Sequence, residues 1–419
     1  MQCVILAAGK SSRFWPLNYR HKSCFYLMGR PIIYWVLKGV EGAKKIKEVF
    51  IVQSPKKDVE EEVKKFKFNL KIRFLIQKKP LGMGNALFLA KNFLKDFFVV
   101  LNGDVSNASE VLKTLFQKFK KEKTPILLGQ KTKTPWLFGM MKLKKDRILK
   151  IVEKPKKGKE PSKIKVVGVY LLEPSFFSFY EEVKKHEYDF EDALSLYMKE
   201  KIVKVAILRE DEEKTPTFLK YPWHLFLHRK YLFDKFLKTK ISKKAKIAKN
   251  VIIEGKVFID EGVKIFEGAT IKGPCYIGKN CIIGTNSLIR EYTNLEDNVL
   301  IGAFCEVKAS IFQKGATTHS GYFGDSIVGE RTKIGAGTIT SNIRLDRGEI
   351  FSVVKGKKIN TNLRFFGAVI GRDTLLGSKV NIMPGKFIGS ECQIWPNSVI
   401  FKNVPDKKTL KTLIKWQSS

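Results

Sequence analysis

The stretch I-D-E-G-V-K-I-F-E-G-A-T-I-K-G-P-C-Y-I-G-K-N-C-I-I-G-T-N-S-L-I, residues 259–289, carries an isoleucine at every sixth position. The same period runs from Ile241 to Val307 and returns from Ile370 to Ile400. A smaller residue such as Ala269 or Cys281 precedes most of these positions by two. A short fixed period indicates one unit that buries its apolar side chain only by stacking on its neighbours. A period of six is too short for a helical repeat, so the pattern predicts a parallel β-helix with Gly- and Asn-rich corners.

The six-residue period is interrupted twice. Between Phe312 and Asp325 we expect a loop to leave the coil. Between about Ser341 and Phe365 the sequence is basic and polar, and we expect it to form an arm.

The first half of the chain alternates short apolar strands with amphipathic segments. Such alternation predicts an α/β domain with a mostly parallel sheet. Ligands of these sheets bind beyond the carboxyl ends of the strands, where Gly9, Gln77 and Asp104 are expected. We therefore predict a nucleotidyltransferase-like domain over 1–235, a β-helix domain over 236–405 and a C-terminal tail over 406–419.

Composition narrows the class of protein. The chain has 419 residues and a net charge of +37, yet its lysines are scattered along every segment. Scattered lysines indicate a genome-wide lysine bias with some attraction for anionic substrates, and they do not favour specific nucleic-acid recognition, which relies on arginine. We expect no membrane span, because the chain has no run of 18 apolar residues. The six cysteines form no CxxC pair, which predicts a reduced, cytoplasmic compartment.

A second motif opens the chain. The strand before it leads into L-A-A-G-K-S-S-R, Leu6 to Arg13, a turn of small residues whose backbone N–H groups can approach an anion closely. Arg13 and Lys22 add positive charge that neutralises phosphates. The spacing differs from both the Walker loop and the G-x-G-x-x-G dinucleotide motif.

Further segments continue this motif: Q-K-K-P-L-G from Gln77, N-G-D ending at Asp104, F-G at Phe138, and V-E-K-P from Val152. Together they resemble the nucleotide-diphosphate-sugar pyrophosphorylases over roughly residues 1–235. Joined to a hexad β-helix, the whole chain resembles the GlmU-type bifunctional enzymes, particularly the archaeal sugar-1-phosphate nucleotidylyltransferase/acetyltransferases. This resemblance implies a Rossmann-like first domain and a left-handed coil.

The resemblance implies attack of a sugar-1-phosphate oxygen on the α-phosphate of a nucleoside triphosphate, with release of pyrophosphate. It assigns nucleotide binding to Leu6, Ala7, Ala8 and Gly9, and transition-state stabilisation to Arg13 and Lys22. It assigns base recognition to Gln77 and Gly82, Mg²⁺ binding to Asp104, and sugar binding to Gly139 and Glu153. The expected substrates are UTP or dTTP with glucose-1-phosphate or N-acetylglucosamine-1-phosphate, and UDP-N-acetylglucosamine is one expected product.

This chain departs from the family pattern in the first domain. Ser11, Met83 and Val166 replace an expected glycine, threonine and asparagine. A second acidic metal ligand is expected before P-W-D, but T-F-L-K-Y-P-W-H has Phe218 and Lys220 there, and His224 replaces the aspartate. Either one carboxylate holds Mg²⁺ with help from substrate phosphates and waters, with Lys220 replacing part of the charge, or the site is vestigial.

The segments H319-S-G-Y-F-G-D325 and I-G-A-G-T-I-T-S-N342 resemble the acetyltransferase segment of the same family. The resemblance makes His319 the base that deprotonates an amino sugar, with Tyr322 and Asn342 positioning that sugar or acetyl-CoA. Arg344 and Arg364 are candidates for holding phosphates. Lys333 stands where the family has a sugar-contacting asparagine, so a different acceptor is open. The resemblance also implies a homotrimer.

Three functions remain open at this point. The first is a two-site enzyme that makes an activated amino-sugar nucleotide. The second is an acetyltransferase with a degenerate first site, which the missing carboxylates favour. The third is a non-catalytic regulatory or scaffold subunit, which the presence of His319, Tyr322 and Asn342 disfavours.

Overall fold

The computed structural model describes residues 1–209 and 215–411. The chain divides into two compact units. Unit 1 contains Met1–Lys10, Arg20–Phe25 and Pro31–Leu219, and unit 2 contains Ser11–Tyr19, Tyr26–Arg30 and the chain from Lys220 onward.

Unit 1 is built on a nine-stranded sheet. Its strands are β1 (Gln2–Ala7), β2 (Glu48–Gln53), β3 (Lys71–Ile76), β4 (Phe98–Asn102), β5 (Ile126–Lys131), β6 (Gly139–Lys144), β7 (Arg147–Glu153), β8 (Ile164–Leu172) and β9 (Lys204–Ile207). They lie in the order β3-β2-β1-β4-β8-β5-β9-β7-β6. The first four are parallel, β8 is antiparallel to β4 and β5, and β6 and β7 form an antiparallel pair.

Helices cover this sheet, as the alternating pattern predicts. They are α1 (Ile32–Gly42), α2 (Asp58–Val63), α3 (Met83–Phe88), α4 (Ala108–Glu122), α5 (Phe176–Glu182) and α6 (Asp189–Glu200). In α4, Val111, Leu115 and their neighbours on the same helical face are buried, because residues three and four apart share one side of a helix. The α/β class of the first domain is confirmed.

Unit 2 is a parallel β-helix of three sheets, consistent with the expected left-handed coil. Sheet I contains Lys240–Ile241, Val257–Ile259, Cys275–Ile277, Thr293–Leu295, Ile311–Phe312, Ile327–Val328, Ala368–Ile370 and Lys386–Ile388. Sheet II contains Lys246–Ile247, Lys264–Ile265, Ile282–Ile283, Leu300–Ile301, Thr317–Thr318, Lys333–Ile334, Leu375–Leu376, Gln393–Ile394 and Thr409–Leu410. Sheet III contains Ile252–Glu254, Thr270–Lys272, Leu288–Ile289, Cys305–Lys308, Gly321–Gly324, Thr338–Thr340, Asn381–Ile382 and Val399–Ile400.

The six-residue period sets this register. A regular coil takes 18 residues, so Ile259 pairs with Ile277 on the next coil. Ile259 and Ile277 are fully buried, whereas Ile241, in the first coil, is 46% exposed because no coil precedes it. All six cysteines lie in the described residues and are buried free thiols.

The loop expected between Phe312 and Asp325 is not formed, and that prediction is wrong. Leu295 pairs with Phe312 and Phe312 with Val328, so the coil continues with one and then two residues fewer than 18. Thr318 and Phe323 take the inward positions there and are buried. The interruption of the period therefore reflects shortened corners.

The arm expected over 341–365 is present. It contains the antiparallel hairpin Phe351–Val354 and Lys357–Asn360. Helix α7 (Leu225–Phe236) also belongs to this unit.

The predicted tail, 406–419, lies partly outside the described residues. Among the helices of the described residues, none is long and apolar enough to cross a membrane.

Candidate active sites

The first candidate site lies at the carboxyl ends of β1 and β4, which pair directly through Leu6 and Asn102. Leu6, Ala7 and Ala8 are buried, whereas Gly9 is exposed. A Cβ added at Gly9 would meet nothing within 4 Å. The small-residue turn therefore opens onto space that a ligand can fill.

Asp104 follows β4 and is 2% exposed. Its Oδ2 accepts a hydrogen bond from Lys22 Nζ at 2.6 Å and another from the Leu219 backbone N–H at 2.7 Å. Lys22 Nζ also donates to the Leu219 carbonyl oxygen at 2.8 Å. Two residues assigned from the sequence, Lys22 and Asp104, are thus in direct contact.

The segment that carries Lys22 is itself fixed. The backbone N–H of His21 donates to Asp58 Oδ2 at 2.5 Å, and His21 Nδ1 lies 2.7 Å from the hydroxyl oxygen of Ser23. Burial, followed by the charge of Lys22, lowers the pKa of His21 to about 4, so its imidazole is neutral. The sequence offered no reason to assign a role to Asp58, because its contact with His21 joins distant parts of the chain.

Gln77 and Gly82, the expected base-reading residues, are also in contact. Gln77 is 5% exposed, and its Nε2 donates to the Gly82 carbonyl oxygen at 3.0 Å and to Asn85 Oδ1 at 2.9 Å. Gly82 has a φ of +103°, which favours glycine.

Gly139 and Glu153, the expected sugar-binding residues, pair across β6 and β7. A Cβ at Gly139 would lie 2.5 Å from Glu153 Oε1, so the glycine makes room for this carboxylate. Val166, where the family has an asparagine, is half-buried in β8 next to a register shift.

Arg13 belongs to unit 2 and is exposed, in the short 3-10 helix Ser12–Phe14. His224, which replaces the family's aspartate, also lies in unit 2. Its Nδ1 accepts a hydrogen bond from the Lys220 backbone N–H at 3.1 Å. This imidazole therefore organises the turn Pro222–His224.

Mg²⁺ binds through oxygen ligands in octahedral geometry and usually retains several waters. Asp104 offers a carboxylate whose Oδ2 is already engaged by an ammonium and an amide. Phe218 supplies no ligand atom, and its ring packs 5.8 Å from that of Phe138. In the described parts of the chain, no group of three or more His, Cys, Asp or Glu side chains is arranged to hold a metal ion. These residues do not fit a protein-held Mg²⁺.

The second candidate site lies on the β-helix. His319 directly follows the sheet II strand Thr317–Thr318 and is exposed. The corresponding positions of the coils on either side are Gly302 and Gly335, because the three strands pair in register. His319 thus lies between two glycines at a shortened corner of the β-helix. Because Gly302 and Gly335 have no side chains, these two positions leave the His319 side chain uncovered.

Tyr322 lies in a sheet III strand and Asn342 lies two residues after the next one, Thr338–Thr340; their side chains are hydrogen-bonded beside Gly324. A Cβ at Gly324 would lie 2.5 Å from the Tyr322 hydroxyl oxygen and 2.6 Å from Asn342 Nδ2. Burial is the main cause that raises the pKa of Tyr322, and the charge of Asp325 adds to it. The phenol therefore stays protonated at neutral pH.

Asp325 completes this cluster, although it is not among the residues that the sequence singles out. Its Oδ2 accepts a hydrogen bond from Asn342 Nδ2 at 2.7 Å and lies 3.8 Å from Lys308 Nζ. Burial raises the pKa of Asp325, while Asn342 and Lys308 lower it. The sequence feature that could have indicated this role is the Gly-Asp pair that ends the segment H319-S-G-Y-F-G-D325. Arg344, by contrast, is paired with Asp346 in the arm.

Comparisons with known proteins cover both units. The family model described as "Nucleotidyl transferase" matches residues 2–224, and the one described as "GMPPB C-terminal domain" matches residues 271–410. A "Bifunctional protein GlmU" of Methanococcus maripaludis is 33% identical over 411 residues, covering 96% of this chain and 95% of the relative. A "Bifunctional sugar-1-phosphate nucleotidylyltransferase/acetyltransferase" of Sulfurisphaera tokodaii is 32% identical over 413 residues, covering 96% and 98%.

Among solved structures, a UTP-bound UGPase from Acinetobacter baumannii is similar over 50% of this chain and 86% of its own, with a TM-score of 0.44 and 20% identity. The relatives are matched along nearly their whole length and at more than 30% identity. This chain therefore belongs to the family of bifunctional GlmU proteins.

Proposed function

We propose that this chain is a bifunctional transferase that joins a nucleotide to a sugar-1-phosphate and acetylates an amino-sugar phosphate. The observation that carries the proposal is the match to bifunctional relatives across 96% of the chain. It is supported by two clusters, Lys22 with Asp104 and Tyr322 with Asn342, which bring together residues assigned from separate motifs.

In the first reaction an oxygen of the sugar phosphate bonds to the α-phosphorus of the nucleotide, and the bond to pyrophosphate breaks. Catalysis of this kind depends on positioning and charge neutralisation. The backbone from Leu6 to Gly9 binds the nucleotide, Gln77 and Gly82 contact the base, and the Lys22 ammonium neutralises the phosphates. Arg13 stabilises the triphosphate, and Gly139 and Glu153 hold the sugar.

In the second reaction the amine of the sugar must first lose a proton, because an ammonium cannot attack a thioester. A neutral His319 accepts that proton. The amine nitrogen then bonds to the acetyl carbonyl carbon, and the thiol of CoA leaves. Tyr322 and Asn342 orient the acceptor or acetyl-CoA.

The finer proposal names UTP or dTTP as the nucleotide, with glucose-1-phosphate or N-acetylglucosamine-1-phosphate as the sugar. Acetyl-CoA is the acyl donor, and Mg²⁺ enters with the nucleotide. A homotrimer that acts in the cytoplasm completes this proposal, on the basis of the family membership.

The test is a pair of assays on the full chain. One measures pyrophosphate released from UTP or dTTP with each sugar-1-phosphate, and the other measures free CoA released from acetyl-CoA with glucosamine-1-phosphate. The proposal expects both products. Loss of either product under all conditions contradicts the corresponding half.

A second candidate function is acetyl transfer alone. The observations that favour it are Phe218 in place of an acidic ligand and the engagement of Asp104 by Lys22. It predicts free CoA without pyrophosphate at any Mg²⁺ concentration.

A further inference from the structure

We infer that Asp104 is the positioning residue of the Lys22 ammonium and not a metal ligand, so that the first site binds nucleoside triphosphate without requiring a divalent cation. This inference rests on the nucleotide-binding half of the proposed function. It concerns how the phosphate charge is neutralised.

The first observation is the closed arrangement of three groups. Lys22 Nζ donates both to Asp104 Oδ2 at 2.6 Å and to the Leu219 carbonyl oxygen at 2.8 Å. The Leu219 N–H donates to the same Asp104 oxygen at 2.7 Å. Each group satisfies the other two, and charge-assisted bonds of this length are the stronger class of hydrogen bond. The arrangement fixes the position of the Lys22 ammonium. A metal ion would have to break these hydrogen bonds to reach Asp104 Oδ2.

The second observation is that the backbone carrying Lys22 is fixed on its own side. Asp58 is 6% exposed, and its carboxylate accepts the His21 N–H at 2.5 Å. The Cys24 N–H donates to the His21 carbonyl oxygen at 2.8 Å, which closes a turn around Lys22. A charge held in advance costs no reorganisation when the phosphates arrive.

The third observation concerns position 218. Phe218 presents a ring and no carboxylate, and Lys165 Nζ lies 4.7 Å from that ring and 4.3 Å from the ring of Phe138. Lys165 is 1% exposed. The ring of Phe218 therefore faces the Lys165 ammonium. The positive charge of this ammonium disfavours the approach of a metal ion to position 218.

Mg²⁺ should not strengthen the binding of nucleoside triphosphate at this site. Chelation of the cation leaves the triphosphate more negative, and an ammonium attracts a more negative ligand more strongly. The inference therefore expects binding in EDTA to be as tight as, or tighter than, binding in Mg²⁺. A site that holds the metal through Asp104 expects the reverse.

The test is isothermal titration of the full chain with UTP and with dTTP, in EDTA and in Mg²⁺, without sugar phosphate. The inference expects no gain in affinity from Mg²⁺. Binding that is about tenfold or more tighter in Mg²⁺ overturns it, since that ratio corresponds to about 1.4 kcal/mol of cation-dependent binding.

Three variants locate the effect: Asp104→Asn, Lys22→Met and the double variant. If Asp104 acts through Lys22, Asp104→Asn weakens nucleotide binding by about tenfold in EDTA and in Mg²⁺ alike. The double variant is then no weaker than Lys22→Met, because neighbouring residues that act as one unit are not additive. The inference is contradicted if Mg²⁺ increases the nucleotide affinity of the unmodified chain and Asp104→Asn removes only that increase.

A matched control is Asp146→Asn, which removes another carboxylate paired with a lysine, Lys118, at 2.6 Å on the surface. It should leave nucleotide binding unchanged. Should Asp104→Asn fail to fold, the comparison of EDTA with Mg²⁺ on the unmodified chain still decides. If UTP and dTTP bind only in Mg²⁺, this inference alone is contradicted. If neither nucleotide binds in EDTA or in Mg²⁺, the proposed nucleotidyltransferase activity is contradicted as well.

Discussion

The carbonyl oxygen of His319 lies where a side chain on Gly302 would begin. A Cβ added at Gly302 would come within 1.9 Å of that oxygen, far inside any van der Waals contact. Gly302 and His319 occupy the same corner position on successive coils. The proposed base is therefore stacked directly on a position that accepts only glycine.

Replacing Gly302 by alanine should disturb that corner. Because the clash is with backbone, we expect a loss of stability of about 1–3 kcal/mol, as for other overpacked sites. The melting temperature and the rate of CoA release should both fall, while pyrophosphate release is kept. Gly42→Ala is the matched control, since a Cβ there meets nothing within 4 Å. Unchanged melting and CoA release in Gly302→Ala would show that the corner is not constrained as described.

Replacing Gly139 by alanine should displace Glu153. The added Cβ would lie 2.5 Å from Glu153 Oε1, so the carboxylate must move. If Glu153 holds the sugar, the KM for the sugar-1-phosphate should rise about tenfold, the effect of losing roughly one charged hydrogen bond. The KM for the nucleotide serves as the internal control. An equal change in both constants would instead point to general damage.

The buried carboxyl of Glu296 should make stability depend on pH. Burial is the main cause that raises its pKa from 4.5 to about 8, although hydrogen bonds from Asn294 and the Gly29 N–H lower it. The folded chain therefore keeps a proton that the unfolded chain releases above pH 4.5. The stability linked to this proton is complete below pH 4.5 and is lost as pH rises to about 8.

Glu296→Gln lacks this ionisation. Between about pH 5 and pH 8 its melting temperature should fall less than that of the unmodified chain. The exposed Glu267 provides the control substitution, Glu267→Gln, which should keep the original pH dependence. Parallel melting curves for Glu296→Gln and the unmodified chain would mean that Glu296 is not the group responsible.

The β-helix was predictable because its cause is local and repeated. Each regular coil buries one large side chain per face, most often isoleucine, so the period in the sequence is also the register of the sheets. The corners at Asn280 and Asn286 adopt a positive φ, which asparagine tolerates. The loop predicted after Phe312 was wrong because the coil lost single residues at its corners, and a periodic pattern cannot distinguish that loss from a departure of the chain.

A candidate site was predictable where its residues lie in neighbouring segments of one motif. Tyr322 and Asn342 do meet, although their chemical roles stay a prediction. The contact between Lys22 and Asp104 could not be read from spacing, because it joins residues 82 positions apart. The carboxylate of Asp325 and the Leu219 amide are likewise visible only once the chain is folded.

The most direct test of the two-site assignment is a crossed measurement on two variants, His319→Ala and Lys22→Met, with both products followed in each. We expect His319→Ala to lose CoA release by about a hundredfold or more, as for the loss of a general base, and to keep pyrophosphate release. Lys22→Met should show the opposite pattern. If one variant loses both activities while remaining folded, or if His319→Ala acetylates normally, the assignment of two independent reactions to these two sites is contradicted.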